Sequence, residues 1–287
     1  MKILFTSDIH ASIAHLFSML SIAEKEKVDT IIIGGDVIPH SLPDPAGMGA
    51  LQTHAKYIED VLIPGIKDFK KRSHADIYMD LGNDDFVCNR KILEKYDGSV
   101  INLVHMKKSR LTDHVDIIGY MVVPPTPFRL KDWEKPDTTE TPFTQGNRVT
   151  MQGYVTVNGR LEPTVLNLAS DDTIEKDLEA LSRNIDNPFI FVSHSPPYDT
   201  PLDVIYSGLH VGSLSIRRFI ETWSEKGLLI ASLHGHIHES PTRSGSIQTK
   251  IGDAVCINPG QGNGQGAAFR YVMLRLSGDS VEVTNHH

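Results

Sequence analysis

Apolar and polar positions along this chain alternate with two different periods, and the periods change over in a regular order. Residues 2–7 (KILFTS) read as a strand that opens the fold at once, and residues 14–27 (AHLFSMLSIAEKEK) carry apolar positions at helical spacing. Residues 30–34 (TIIIG) form a short, continuous apolar run of the kind found in a buried strand. That is one β-α-β unit. A second follows, with a helical stretch over 51–72 leading into a strand at 76–82 (DIYMDLG). A short helix is predicted at 89–96, then β-rich segments at 100–105 and 111–123. Residues 124–170 lose all periodicity and hold Pro124, Pro125, Pro127, Pro136, Pro142 and Pro163, so they predict an inserted lobe or lid, with hairpin character around 147–166. A helix at 171–185 leads to a strand at 188–193, and a helix at 213–226 leads to a strand at 228–233. The last forty residues read as antiparallel strands with Gly-rich turns, and GQGNGQG at 260–266 is expected to be such a turn, because no amphipathic helix follows it.

Composition narrows the field. With 287 residues, 40% hydrophobic and 22% charged, the chain is ordinary globular material, and one large domain spanning 1–287 is expected. The net charge of -8 and the lack of any polybasic run argue against long nucleic acid or an anionic membrane surface as partner. A small anionic ligand remains compatible. Cys88 and Cys256 lie far apart and form no CxxC pair, which suits a reducing compartment. No apolar stretch at the N-terminus matches the h-region of a signal peptide, and no window approaches about 20 consecutive apolar residues. A cytoplasmic location is the expectation. Nothing in the pattern bears on oligomeric state.

The chemistry sits where the predicted strands end. Asp8-Ile9-His10 follows the first strand, and Gly34-Gly35-Asp36 follows the second. Gly82-Asn83-Asp84-Asp85 closes the third, His194 follows 188–193, and Gly235-His236-Ile237-His238 follows 228–233. In an open α/β sheet the carboxyl ends of the strands converge on one crevice, so these distant residues are expected to be neighbours. Imidazole and carboxylate suit zinc, iron and manganese, and the lack of thiolates argues against a structural zinc site. In extended backbone an i, i+2 pair points one way, so Asp8 and His10 can grip one ion, and His236 and His238 face one side.

The order Asp-x-His, Gly-Asp, Gly-Asn, His, Gly-His-x-His resembles the calcineurin-like metallophosphoesterases, and the resemblance spans residues 8 to 238. It implies an α/β fold, a four-layer αββα sandwich of two mixed β-sheets flanked by helices, with two divalent metal ions at its edge. By motif, Asp8, His10, Asp36 and His238 hold one metal. Asp36 bridges to the second, which Asn83, His194 and His236 complete. Manganese, iron and zinc all fit this set, with manganese favoured. Two divalent ions set against two aspartates and a bridging hydroxide leave about one positive charge, enough for an acidic protein to attract a phosphate. The implied reaction is hydrolysis of a phosphate ester by in-line attack of that hydroxide.

The chain departs from the family pattern at one place. The third motif commonly reads Gly-Asn-His-Asp or Gly-Asn-His-Glu, with the His placed to protonate the leaving oxygen or bind substrate, and here the position is Asp84. An aspartate beside two dications is a poor proton donor at neutral pH. Family members lacking this His are often better on diesters, so a phosphodiesterase acting on a small phosphorylated or nucleotide-like substrate is expected. A phosphomonoesterase and a nucleotide pyrophosphohydrolase are the rival enzymes. His40 and His210 are the candidates to replace the missing acid. Asp85 is read as orienting a ligand or substrate, or as a helix cap. Pro124–Phe128 with Trp133 is read either as an aromatic wall over the site or as plain packing, and His234 either as a partner to the ligands or as part of its strand. A metal-free scaffold of the same fold is the non-enzyme alternative, and the seven filled ligand positions count against it.

Overall fold

The computed structural model describes residues 1–40, 48–139, 149–262 and 267–286. In chain order the strands are β1 (Lys2–Thr6), β2 (Thr30–Ile33), β3 (Asp76–Met79), β4 (Asn102–Leu103), β5 (Lys107–Arg110), β6 (Asp116–Tyr120) and β7 (Gln152–Val157). They continue as β8 (Arg160–Val165), β9 (Phe189–Ser193), β10 (Leu229–His234), β11 (Gln248–Ile251), β12 (Ala254–Ile257), β13 (Val272–Ser277) and β14 (Ser280–His286). The helices are α1 (Ile13–Glu26), α2 (Met48–Tyr57), α3 (Ile63–Lys70), α4 (Arg90–Leu93), α5 (Ile174–Ser182), α6 (Leu214–Glu225) and α7 (Ser240–Ser244).

Two six-stranded mixed sheets carry the fold, ordered β14-β13-β1-β2-β3-β4 and β11-β12-β10-β9-β6-β5. β1, β2, β3 and the edge strand β4 run parallel, and so do β6, β9 and β10, while β14, β11 and β5 at the other edges pair antiparallel. The central strands β2 (TIII) and β9 (FIFVS) are buried at every position, as strands covered on both faces must be. Helix α1 turns Leu16, Met19, Leu20 and Ala23 inward, and Ser12 caps it by accepting from the His15 amide. Helix α6 buries Ile216, Phe219, Ile220 and Trp223 toward the second sheet. One continuous apolar core joins both sheets to these helices, the four-layer sandwich expected from the sequence. Among the described residues, no helix is long and apolar enough to cross a membrane.

The single helix expected over 51–72 divides into α2, a π-helical turn at Ile58–Leu62, and α3. The segment read as a lobe has two parts. Its hairpin is β7–β8, paired Tyr154 to Pro163, whereas residues 124–126 and 130–138 pack back into the body and Phe128 between them is exposed. There Lys131 and Glu134 form a fully buried ion pair at 2.8 Å, and Glu134 also accepts from the Thr126 amide at 3.1 Å. Pro142 and residues 263–266 of the Gly-rich turn lie outside the described residues.

Asp137 fastens this segment to the second sheet's helix. Its buried carboxylate accepts from Ser213 Oγ and the Leu214 amide, both at 2.6 Å, at the N-terminus of α6. Asp137→Ala is expected to cost about 2 kcal/mol, the usual loss for a charged acceptor at buried donors. A fall in the urea midpoint at unchanged slope would register it; an unaltered midpoint would mean that water replaces the carboxylate without penalty.

Candidate metal centre

Every motif residue lies just beyond a strand end. Asp8 follows β1, Asp36 follows β2, Asn83 follows β3, His194 follows β9, and His236 follows β10. Because the strands within each set are parallel, their carboxyl ends deliver these residues to one edge of the sandwich. The crowding there explains two glycines. A Cβ on Gly82 would sit 2.3 Å from Asp36 Oδ1, and one on Gly235 would sit 2.6 Å from Asp8 Oδ2. Asp8, His10, Asp36 and His236 themselves adopt φ of 58°, 44°, 49° and 67°. Such backbone costs on the order of 1 kcal/mol per residue, and its concentration here marks a site held against strain by its surroundings.

Ligand atoms of Asp8, His10, Asp36 and His238 all lie within 4.8 Å of one another. His10 Nε2 is 3.1 Å from His238 Nε2 and 3.8 Å from Asp36 Oδ2, and His238 Nε2 is 3.2 Å from Asp8 Oδ1. His194 Nε2 meets the same Asp36 oxygen, Oδ2, at 3.3 Å and lies 2.9 Å from Asn83 Oδ1. The His236 ring is 5.3 Å from that of His194. Asp36 therefore stands between two groups of donors. The His194 Nδ1–H donates to the Gly34 carbonyl at 2.8 Å, which aims Nε2 at the cluster.

Electrostatics match the donor set to cations. Burial works against ionisation of Asp8, but the His238 charge and hydrogen bond overcome it and hold the carboxyl at about 2. Asp36 is likewise lowered: burial opposes ionisation, and His194 and His10 outweigh it. Burial depresses His10 to about 4 and His236 to about 3, so both are neutral lone-pair donors at physiological pH. Burial would lower His194 as well, but the attraction and hydrogen bond of Asp36 raise it to about 9. Two imidazole nitrogens facing each other at 3.1 Å with ionised carboxylates beside them form an arrangement that divalent ions fit.

The remaining candidates separate. Asp84 accepts from His40 Nδ1, and its own amide donates to Asp36 Oδ1 at 2.9 Å; the His40 ring stacks on His10 with centroids 3.9 Å apart. Asp85 is wholly buried and accepts from the amides of Val37 and Ile38, each at 3.0 Å, and of Gly82 at 2.9 Å. It orients the two ligand loops and faces no substrate. It is also not a helix cap, since the turn at Val87–Asn89 starts from Phe86. His210 lies in the 196–213 loop and pairs with Asp203 at 2.7 Å. His234 is buried within β10, bonded to Ser232 Oγ and the Ser195 carbonyl, and does not reach the cluster. Trp133 forms no wall. Its indole N–H needs a buried acceptor and finds the Asp85 carbonyl at 2.9 Å.

Two residues that support the site carry no sequence signal. Asn258 Nδ2 donates to the carbonyls of Gly235 and Ile237, on either side of His236, and Gln261 Nε2 donates to the Ser7 carbonyl at 3.1 Å. A lone amide in a loop has no periodicity or motif to reveal it.

The chain matches the calcineurin-like phosphoesterase family over residues 1–240 and belongs to it. Members of this family hydrolyse phosphoesters with a pair of bound metal ions. Uncharacterized protein MJ1162 of Methanocaldococcus jannaschii is 38% identical over 92 residues, which span 31% of this chain and 38% of that protein. Among solved structures, TT1561 of Thermus thermophilus superimposes with a TM-score of 0.55 at 16% identity, covering 99% of this chain and 98% of that one. A dimetal phosphatase from Danio rerio gives 0.56 at 11% identity, covering 99% and 95%. At these identities the structural likeness speaks for the fold.

Asp36→Asn is expected to remove both ions together, because its carboxylate serves both donor groups. The metal content of the purified variant, read by elemental analysis, should fall well below that of the parent, for which about two ions per chain are expected. Retention of full metal content would show that the two groups do not share Asp36.

Proposed function

We propose that this chain is a phosphodiesterase acting on a small phosphorylated or nucleotide-like substrate, with Asp8, His10, Asp36 and His238 holding one metal ion and Asp36, Asn83, His194 and His236 the other. When bound, such a pair activates water near neutral pH and neutralises charge on the phosphoryl oxygens. Manganese suits these oxygen and imidazole donors. A cytoplasmic setting suits the two free cysteines, Cys88 and Cys256.

One observation carries the diester reading, namely the Asp84 carboxylate at the edge of the cluster. Its amide is bonded to Asp36 and its side chain to His40, so its charge is fixed beside the place where a phosphate must sit. A carboxylate there repels a doubly charged monoester about twice as strongly as a singly charged diester, by Coulomb's law. The seven ligand side chains bind and orient the ions. Asp85 keeps the Asp36 and Asn83 loops together.

The His40–Asp84 pair favours a second reading, in which the chain also hydrolyses monoesters. His40 hydrogen-bonds Asp84 through Nδ1, which raises its proton affinity and leaves Nε2 to address a leaving oxygen. The two readings separate by rate. After chelation and reconstitution with manganese, bis-p-nitrophenyl phosphate is expected to turn over faster than p-nitrophenyl phosphate. His40→Ala is expected to slow a monoester with an alkyl leaving group, such as glycerol 3-phosphate, by a further factor of about 100 or more, the usual contribution of a positioned proton donor. A wild-type preference for the monoester would overturn the diester assignment and make His40 the replacement for the missing acid.

A further inference from the structure

The loop between β9 and α6 is built around one buried carboxylate. Asp203 is fully buried and accepts from the amides of Asp199 at 3.1 Å, Thr200 at 2.9 Å and Gly212 at 2.9 Å, and from His210 Nδ1 at 2.7 Å. Asp199, at its start, takes a φ of 57°, the strained left-handed conformation that also marks the metal site. The loop begins two residues after His194, itself the first residue past β9, and is tied to the chain that follows His238. Ser240 Oγ accepts from the Val204 amide at 3.0 Å and donates to the Pro201 carbonyl at 2.7 Å. Asn258 Nδ2 holds the Leu202 carbonyl at 3.0 Å with the same amide that holds Gly235 and Ile237. The loop and the backbone bearing His236 and His238 thus form one rigid piece that borders the centre.

The chemistry of His210 follows from its partner. A carboxylate oxygen accepts here, so Nδ1 donates its proton to Asp203 and Nε2 is the ring atom turned toward a ligand. The ring is one-third exposed, and Nε2 lies 3.9 Å from Asp199 Oδ1, beyond hydrogen-bond reach. Just before it the chain makes a tight turn, with the Ile205 amide bonded to the Leu209 carbonyl at 3.0 Å, and Tyr206 in that turn stands exposed.

We propose that this loop selects the substrate, with His210 Nε2 accepting a hydrogen bond from a hydroxyl on the organic substituent of the phosphoester and Asp203 acting as its positioning residue. The favoured substituent is a hydroxylated one, a nucleoside or a polyol, over a plain alkyl or aryl group. The assignment rests on the phosphoester site described above. It is tested by binding, so that its outcome stands apart from the choice between diester and monoester.

Metal-loaded protein is titrated calorimetrically with uridine 5′-monophosphate and its 2′,3′-dideoxy analogue, and with glycerol 3-phosphate and propyl phosphate. One hydrogen bond of this kind is expected to give the hydroxylated member of at least one pair about five- to tenfold tighter binding. A gap in the first pair identifies a nucleoside and a gap in the second a polyol. In His210→Ala the gap closes, and in His210→Gln, whose amide oxygen can accept, part of it returns. Equal binding of both members of both pairs by the wild type, or a gap that survives in His210→Ala, would overturn the proposal. Turnover of bis-p-nitrophenyl phosphate judges the phosphodiesterase reading separately.

Discussion

The geometry of this centre depends on a carboxylate that faces no ligand. Asp85 gathers three backbone amides, two from the loop after β2 and one from the loop after β3, into one buried knot. Both loops carry donors, Asp36 from one and Asn83 from the other. Burial and the nearby Asp36 charge drive the Asp85 proton affinity up, while the three amides pull it back down. The fold accepts that conflict because parting the loops would strand three buried amides and dissolve the convergence of donors. Gly82 completes the knot, letting the second loop pass against Asp36 where a side chain would collide.

Much of the fold was legible because its elements are apolar in a single direction. Runs such as TIII and FIFVS have no competing interpretation, and the ligands after them fall into place once the strands are parallel. What escaped depends on packing. Nothing in the proline-rich stretch marks Lys131, Glu134 and Asp137 as interior, yet all three are buried, each with a partner within 3 Å. The division of the long helix by a π turn also left no mark in its apolar periodicity.

Within the centre, Asp8, His10, Asp36, Asn83, His194, His236 and His238 were legible as a set, and the structure brings their donor atoms to one edge. Asp85 was legible as important and only half legible in role, since sequence cannot distinguish a carboxylate that meets backbone from one that meets solvent. His40 lies 44 positions from Asp84, so their pairing appears only in three dimensions. The acidic net charge is no general obstacle to anion binding, since Asp8 and Asp36, the two carboxylates inside the cluster, are paired with imidazoles and are the groups that would hold cations.

The π turn at Ile58–Leu62 has a consequence for how this protein can change over evolutionary time. A π turn is an α-helix holding one surplus residue, and each residue rotates the helix by about 100° about its axis. The helix before it and the helix after it therefore bury independent faces, with Ile63, Ile66 and Phe69 set by the far half alone. Loss of one residue in the turn would restore a plain helix and swing the near half to a new face while the far half kept its seat. The chain thus holds, next to the loop that bears Asp84, a ready-made point where a change in length becomes a rotation.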